Sequence, residues 1–172
     1  SIAQAQSRKD AQSGEGAQSE PSATTPETVA PTISSVSVLS WSDDGGDHPD
    51  MAVNMIDENP DTEWHSRWYD YNQFLDASNV TIVVKLQETS TVSSITLTMD
   101  ASTSGGELVV RNVTDPANPR GGTELVTTAL SPTTEITLPQ PVTTDSIALS
   151  FRSMPTSVDG NNWAWISELA VK

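Results

Sequence analysis

The sequence predicts an all-β chain folded as a jelly-roll β-sandwich, and three observations lead there. From Thr32 onward, short segments rich in Val, Ile, Thr and Leu are divided by Gly, Pro, Asn and Asp, the texture of a sandwich or barrel. Several of them alternate apolar and polar residues with the two-residue period of a half-buried strand. No segment is long enough to supply the crossover helices of ten or more residues that a parallel sheet needs. Uneven strand lengths and one long loop region, 41–79, favour a jelly roll with an elaborated end over a regular barrel.

Taken in chain order, residues 1–31 are mostly Ser, Ala, Gln, Thr, Glu, Gly and Pro, with Ile2 and Val29 as the only large aliphatics and no aromatic. Such a segment buries too little to offset an ordering entropy of about 1–2 kcal/mol per residue. It is expected to be a disordered linker, kept extended by Pro21, Pro26 and Pro31. Residues 32–172 are then one domain of ordinary size. Strands are expected at 33–40, at 80–86 through Val80, Ile82, Val84 and Leu86, and at 95–99 through Ile95, Leu97 and Met99. Further strands are expected at 107–113, 124–129, 135–138, 146–151 and 164–171. Turn chemistry at Ser104-Gly105-Gly106, at Asn118-Pro119-Arg120-Gly121-Gly122 and at Leu138-Pro139-Gln140-Pro141 should end one strand before the next. Only 48–55 offers a short helical stretch.

Composition narrows the function. A formal charge of -15 and a pI near 4.1 oppose binding to nucleic acid or anionic lipid, which need a basic face. The chain has no Cys, so disulfides, thiolate metal sites and a Cys nucleophile are excluded. No apolar run exceeds the four residues Trp163-Ala164-Trp165-Ile166, against roughly 20 for a membrane span. The start, Ser1-Ile2-Ala3-Gln4, lacks the order of a signal peptide and reads as a piece of something longer. No P-loop, nucleophile elbow, His-Glu-x-x-His or dinucleotide glycine pattern is present. Two histidines, His48 and His65, are too few for a usual zinc site. A two-carboxylate glycosidase stays conceivable among so many acids, but the reading is a non-enzyme.

Two neighbouring segments hold the candidate chemistry. Between Trp41 and Glu63 lie Asp43, Asp44, Asp47, Asp50, Asp57, Glu58, Asp61 and Glu63 with no Lys or Arg. Like charges this dense are either solvated or bound to a hard cation such as calcium, which takes six to eight oxygens. Residues 57–63 match the first half of an EF-hand loop, but the match then fails, because Thr62 stands where the turn glycine belongs and Trp68 where the bidentate Glu belongs. Next come Trp64, His65, Trp68, Tyr69, Tyr71 and Phe74; five of the chain's nine Trp, Tyr and Phe residues fall within eleven positions. Flat rings beside amides and carboxylates suit a sugar, whose C–H face stacks while its hydroxyls hydrogen-bond. Trp64 is expected in the core. Trp68, Tyr69 and Tyr71, with His65, are the candidate ligand-binding residues, core packing being the alternative.

The stretch from Ala52 to His65, with Asp57-Glu58-Asn59 and Thr62-Glu63-Trp64 inside it, resembles the signature of the factor 5/8 type C, or discoidin-like, superfamily. The closing Trp165-Ile166-Ser167-Glu168-Leu169-Ala170-Val171 resembles that family's last strand. The resemblance spans 32–172 and implies a galactose-binding-like jelly roll. It also implies a structural calcium held by Asp57, by Thr62, by Glu168, and by the carbonyls of Asn54, Asn59 and Ser167. Glu58 departs from the family at a glycine position. More narrowly, Ser150-Phe151-Arg152-Ser153-Met154-Pro155, Asp159-Gly160 and Ile166-Ser167-Glu168-Leu169 are similar to the extracytoplasmic C-terminal module of actinobacterial MviN/MurJ-type proteins, the proposed lipid II flippases of peptidoglycan synthesis. That implies an extracytoplasmic module tethered to a membrane protein through its linker, binding glycan or cell-wall precursor. The alternative is a protein-interaction or spacer domain among envelope proteins, without sugar binding.

Overall fold

The computed structural model describes residues 28–101 and 103–172. The expected linker lies, up to residue 27, outside the described residues; its last residues touch the sandwich, where the Val29 carbonyl accepts the Thr91 N–H at 3.1 Å. Eight antiparallel strands follow: β1 Ile33–Leu39, β2 Trp64–His65, β3 Thr81–Met99, β4 Thr103–Asn112, β5 Thr123–Leu130, β6 Thr133–Ser153, β7 Thr156–Ser157 and β8 Trp165–Val171. Two strands organise the rest. The first half of β3 pairs with β1 and with the second half of β6, which continues to β4 and β5. The second half of β3 pairs with β8 and with the first half of β6, and β8 carries β2. Each long strand therefore serves both layers of an open jelly-roll sandwich.

The bends that allow this are reciprocal bulges. Lys85 and Ser90 of β3 face Ser146 and Thr144 of β6, so residues 86–89 of β3 loop out of register; Val92 and Ser94 face Val142 and Thr137, so residues 138–141 of β6 do the same. Here three sequence expectations need correction. Segments 80–86 and 95–99 are one strand, as are 135–138 and 146–151. Leu138-Pro139-Gln140-Pro141 does not end a strand, because two prolines without N–H groups fit where the ladder is already interrupted. Ser104-Gly105-Gly106 likewise lies inside β4 as a bulge, with Gly105 and Gly106 at φ 83° and 72°. A Cβ on Gly106 would stand 2.6 Å from the Pro155 nitrogen. The expected helical stretch is a 3₁₀ helix, Pro49–Ile56, too short to fill a layer. The turn at 118–122 is borne out and holds a second one, Pro119–Gly121.

Inward residues at alternate positions fill the space between layers. Ile82, Val84, Leu108, Val110, Ile147 and Leu149 come from one layer, and Ile95, Leu97, Ile136, Ile166 and Leu169 from the other. Trp64 closes this core at the loop end. It is fully buried, as expected, it stacks on Phe151 with ring centroids 6.4 Å apart, and its Nε1–H donates to the Asp47 carbonyl at 2.8 Å. Truncating a buried ring of this size leaves a cavity costing about 3–5 kcal/mol. Trp64→Ala should therefore lower the urea midpoint by that equivalent at unchanged slope; a shift below about 1 kcal/mol would remove Trp64 from the core.

Candidate functional site

The connection between β1 and β3, residues 40–80, is organised by one carboxylate. Asp47 has no solvent exposure, and an ionised side chain so placed needs partners on every oxygen. Its Oδ2 accepts the Trp41 N–H at 3.2 Å and Arg67 Nη2 at 3.1 Å. Its Oδ1 accepts the Arg67 N–H at 3.1 Å. The Tyr69 hydroxyl lies 2.7 Å from both oxygens. Asp47 is itself fixed, because its N–H donates to Ser40 Oγ at 3.1 Å while its carbonyl takes the Trp64 indole. Arg67 also forms a two-pronged pair with Asp44 and lies over the Tyr69 ring at 5.6 Å.

The titration behaviour follows from this geometry. The Arg67 guanidinium holds the exposed Asp44 carboxyl well below the usual carboxylate range. Asp44, then Asp47, raise Arg67 in return against the opposing effect of burial. Burial first, then the hydrogen bond to Asp47, pushes the Tyr69 phenol far above its ordinary value of 10.0.

Because Arg67 and Tyr69 are tied inward, the residue between them turns outward. Trp68 is 66% exposed and Tyr71 79%. With Trp41, 44% exposed, they border a cleft of about 250 Å³ whose polar groups include Arg67, Asp70 and Gln73. Tyr69 forms its floor, packed edge-on to Trp41 at 6.4 Å and to Phe74 at 4.9 Å. Of the sequence candidates, Trp68, Tyr69 and Tyr71 thus line one cleft. His65 does not join them. It faces an adjoining recess with His48, Ser66 and Trp163, and Trp68 borders both spaces. The two imidazoles lie 4.4 Å apart, with Nδ1 of each beside a carbonyl: His65 for His48, Ser66 for His65. Sequence reasoning missed Asp47, Arg67 and Trp163; Trp163 meets Trp68 edge-on at 6.0 Å, a contact no local pattern announces.

The carried-over metal residues lie apart from this cleft. Asp57 Oδ1 accepts the Asn59 N–H at 3.0 Å, and Thr62 Oγ1 donates to Asp57. Glu58, at the family's glycine position, adopts φ 59°, the left-handed conformation a glycine would take without strain. Asn54 Nδ2 donates to the Glu63 carbonyl and Ser167 Oγ to the Thr98 carbonyl. Glu168 Oε1 is buried with no hydrogen-bond partner. Burial, then the charges of Asp57 and Glu58, raises its pKa. Among the described residues no three His, Asp or Glu side chains gather as a metal set.

No family model matches the chain, and no curated protein does. Solved structures match it at low identity. A pectin-binding carbohydrate-binding module is 17% identical over 83% of this chain and 92% of its own, with a TM-score of 0.58. The family 32 module of C. perfringens NanJ, solved with galactose, is 23% identical over 83% and 98%, at 0.54. Chitosan-binding module 1 from a chitosanase/glucanase of Paenibacillus sp. IK-5 is 17% identical over 86% and 99%, at 0.57.

The tyrosine supplies a test of the site. Its folded state holds the phenolic proton to higher pH than the unfolded chain does, so the linked stability is complete below pH about 10 and is lost as pH rises from there. Above that pH the wild-type urea midpoint should fall more steeply than that of Tyr69→Phe. At neutral pH Tyr69→Phe should cost about 1–3 kcal/mol, because it leaves a buried carboxylate short of a donor. Parallel pH profiles would show that Asp47 does not hold the phenol. These likenesses and the strand order agree: the chain has the discoidin-like jelly-roll fold of carbohydrate-binding modules.

Proposed function

We propose that the chain is a non-catalytic, extracytoplasmic binding module for a glycan or cell-wall precursor, with the sugar ring seated between Trp41, Trp68 and Tyr71. The observation that carries this reading is the outward presentation of Trp68 and Tyr71 from loops anchored to a fully buried carboxylate. Exposed aromatic rings on a rigid frame bind at low entropic cost. Asp70 and Gln73 supply the directional hydrogen bonds that such a cleft needs to orient a hydroxylated ring. The solved modules sharing the fold are described with pectin, galactose or chitosan, ligands chemically unlike one another. The fold therefore supports sugar binding as a class, and the loops set the choice.

Placement in an envelope protein of the MviN/MurJ type is supported by the sequence resemblance at 150–155, 159–160 and 166–169. Among the described residues no helix is long and apolar enough to cross a membrane, so in this reading the anchor belongs to another part of the parent. Titration with muropeptides, N-acetylglucosamine and galactose, followed by tryptophan fluorescence, tests the binding. Trp68→Ala should leave stability within about 0.5 kcal/mol while weakening the sugar bound by the wild type at least about tenfold. No saturable binding to any sugar would end the proposal and favour the spacer role.

A structural calcium is part of the same proposal. Asp57, Thr62 and Glu168 would give side-chain oxygens, and Asn54, Asn59 and Ser167 carbonyls. What supports it is the partnerless, buried Glu168 oxygen, on which the charges of Asp57 and Glu58 also act, a strain a hard cation relieves. Calcium at a hundred times its Kd should add about 2.7 kcal/mol of stability, read as a higher Tm than in chelator, and Glu168→Gln should lose most of that gain. An identical Tm with and without calcium would exclude the site.

A further inference from the structure

We propose that the cleft selects its glycan by charge and takes an amino sugar with a free ammonium group in preference to an acetylated or acidic one; this rests on the sugar-binding reading above. An acidic sugar needs an uncommitted cation, and the described residues offer none here. Arg67, the one cation lining the cleft among the described residues, is outnumbered by Asp44 and Asp47. The other described arginines are engaged elsewhere: Arg111 by Asp76, Arg120 by Asp43, and Arg152 by Asp76, Glu107 and Glu124. Lys85 faces a different hollow with Val83 and Pro116, and Lys172 ends the chain beside Ser94.

Asp70 has the opposite standing. It is exposed, stands between Trp68 and Tyr71 in the chain and lines the cleft with them, and it has no ion-pair partner among the described residues. An ammonium group on a stacked sugar would meet this carboxylate and two exposed ring faces, both attractive to a cation. The whole-molecule charge of -15 adds a field that gathers cationic chains and repels polyuronates.

The test is calorimetric titration of the full chain with three tetrasaccharides of similar size: glucosamine, N-acetylglucosamine and galacturonate. The glucosamine tetramer should bind about fivefold more tightly than its acetylated counterpart, and galacturonate should bind weakest. The amine-to-acetyl ratio should approach one in Asp70→Asn and shrink as salt is raised. Equal binding of the amine and acetyl forms, an unchanged ratio in Asp70→Asn, or tightest binding of galacturonate would overturn charge selection and leave sugar binding standing. Failure of all three tetramers, together with the sugars of the preceding section, would remove the reading beneath it as well.

Discussion

A single buried carboxylate dictates the shape of the loop end of this molecule. Asp47 sits at zero exposure, where an unpaired charge would cost several kcal/mol, so the chain must bring donors to it. They come from Trp41 on one side and from Arg67 and Tyr69 on the other. The two loop segments cannot move independently, because both end on the same two oxygens. Trp68 lies between two tethered neighbours and has nowhere to go but outward. The exposed ring is thus a consequence of the buried charge and not an accident of loop sequence.

The sandwich beneath is built so that this end can vary without unsettling the core. β3 and β6 each cross from one layer to the other through a bulge, binding both layers covalently and by ladder hydrogen bonds. Trp64 is the junction between the two systems. Its ring packs in the core on Phe151 while its indole N–H holds the backbone of Asp47. The core and the loop end meet at that side chain and are otherwise built from different residues: inward aliphatics for the first, outward rings for the second.

Much of the fold could be read from alternation, because most strands have one face on the core and one toward solvent or loop. Val80 to Leu86 and Ile95 to Met99 each showed that period. Their union into β3 did not, since Gln87, Glu88 and Thr89 break the pattern as a turn would, and Pro139 with Pro141 does the same in β6. Trp64 was legible as core. Trp68, Tyr69 and Tyr71 are near neighbours in sequence, and only the tertiary pull of Asp47 turns Tyr69 in and leaves the other two out. Asp47 itself looked like its acidic neighbours; what distinguishes it lies 20 and 22 residues away at Arg67 and Tyr69, beyond any local window. The pairing of Trp68 with Trp163 is longer still in range and depends on the entry to β8.

The central claim is that Asp47, by holding the two loop segments, creates the sugar-binding cleft. The most direct measurement is a heteronuclear NMR comparison of wild type and Asp47→Asn, each titrated with a sugar that the wild type binds. The account predicts that amide resonances of β3, β6 and β8 stay in place, that those of residues 41 and 67–71 move, and that the variant loses affinity although Trp68 is still present. Unchanged affinity in Asp47→Asn, with the loop resonances undisturbed, would contradict it.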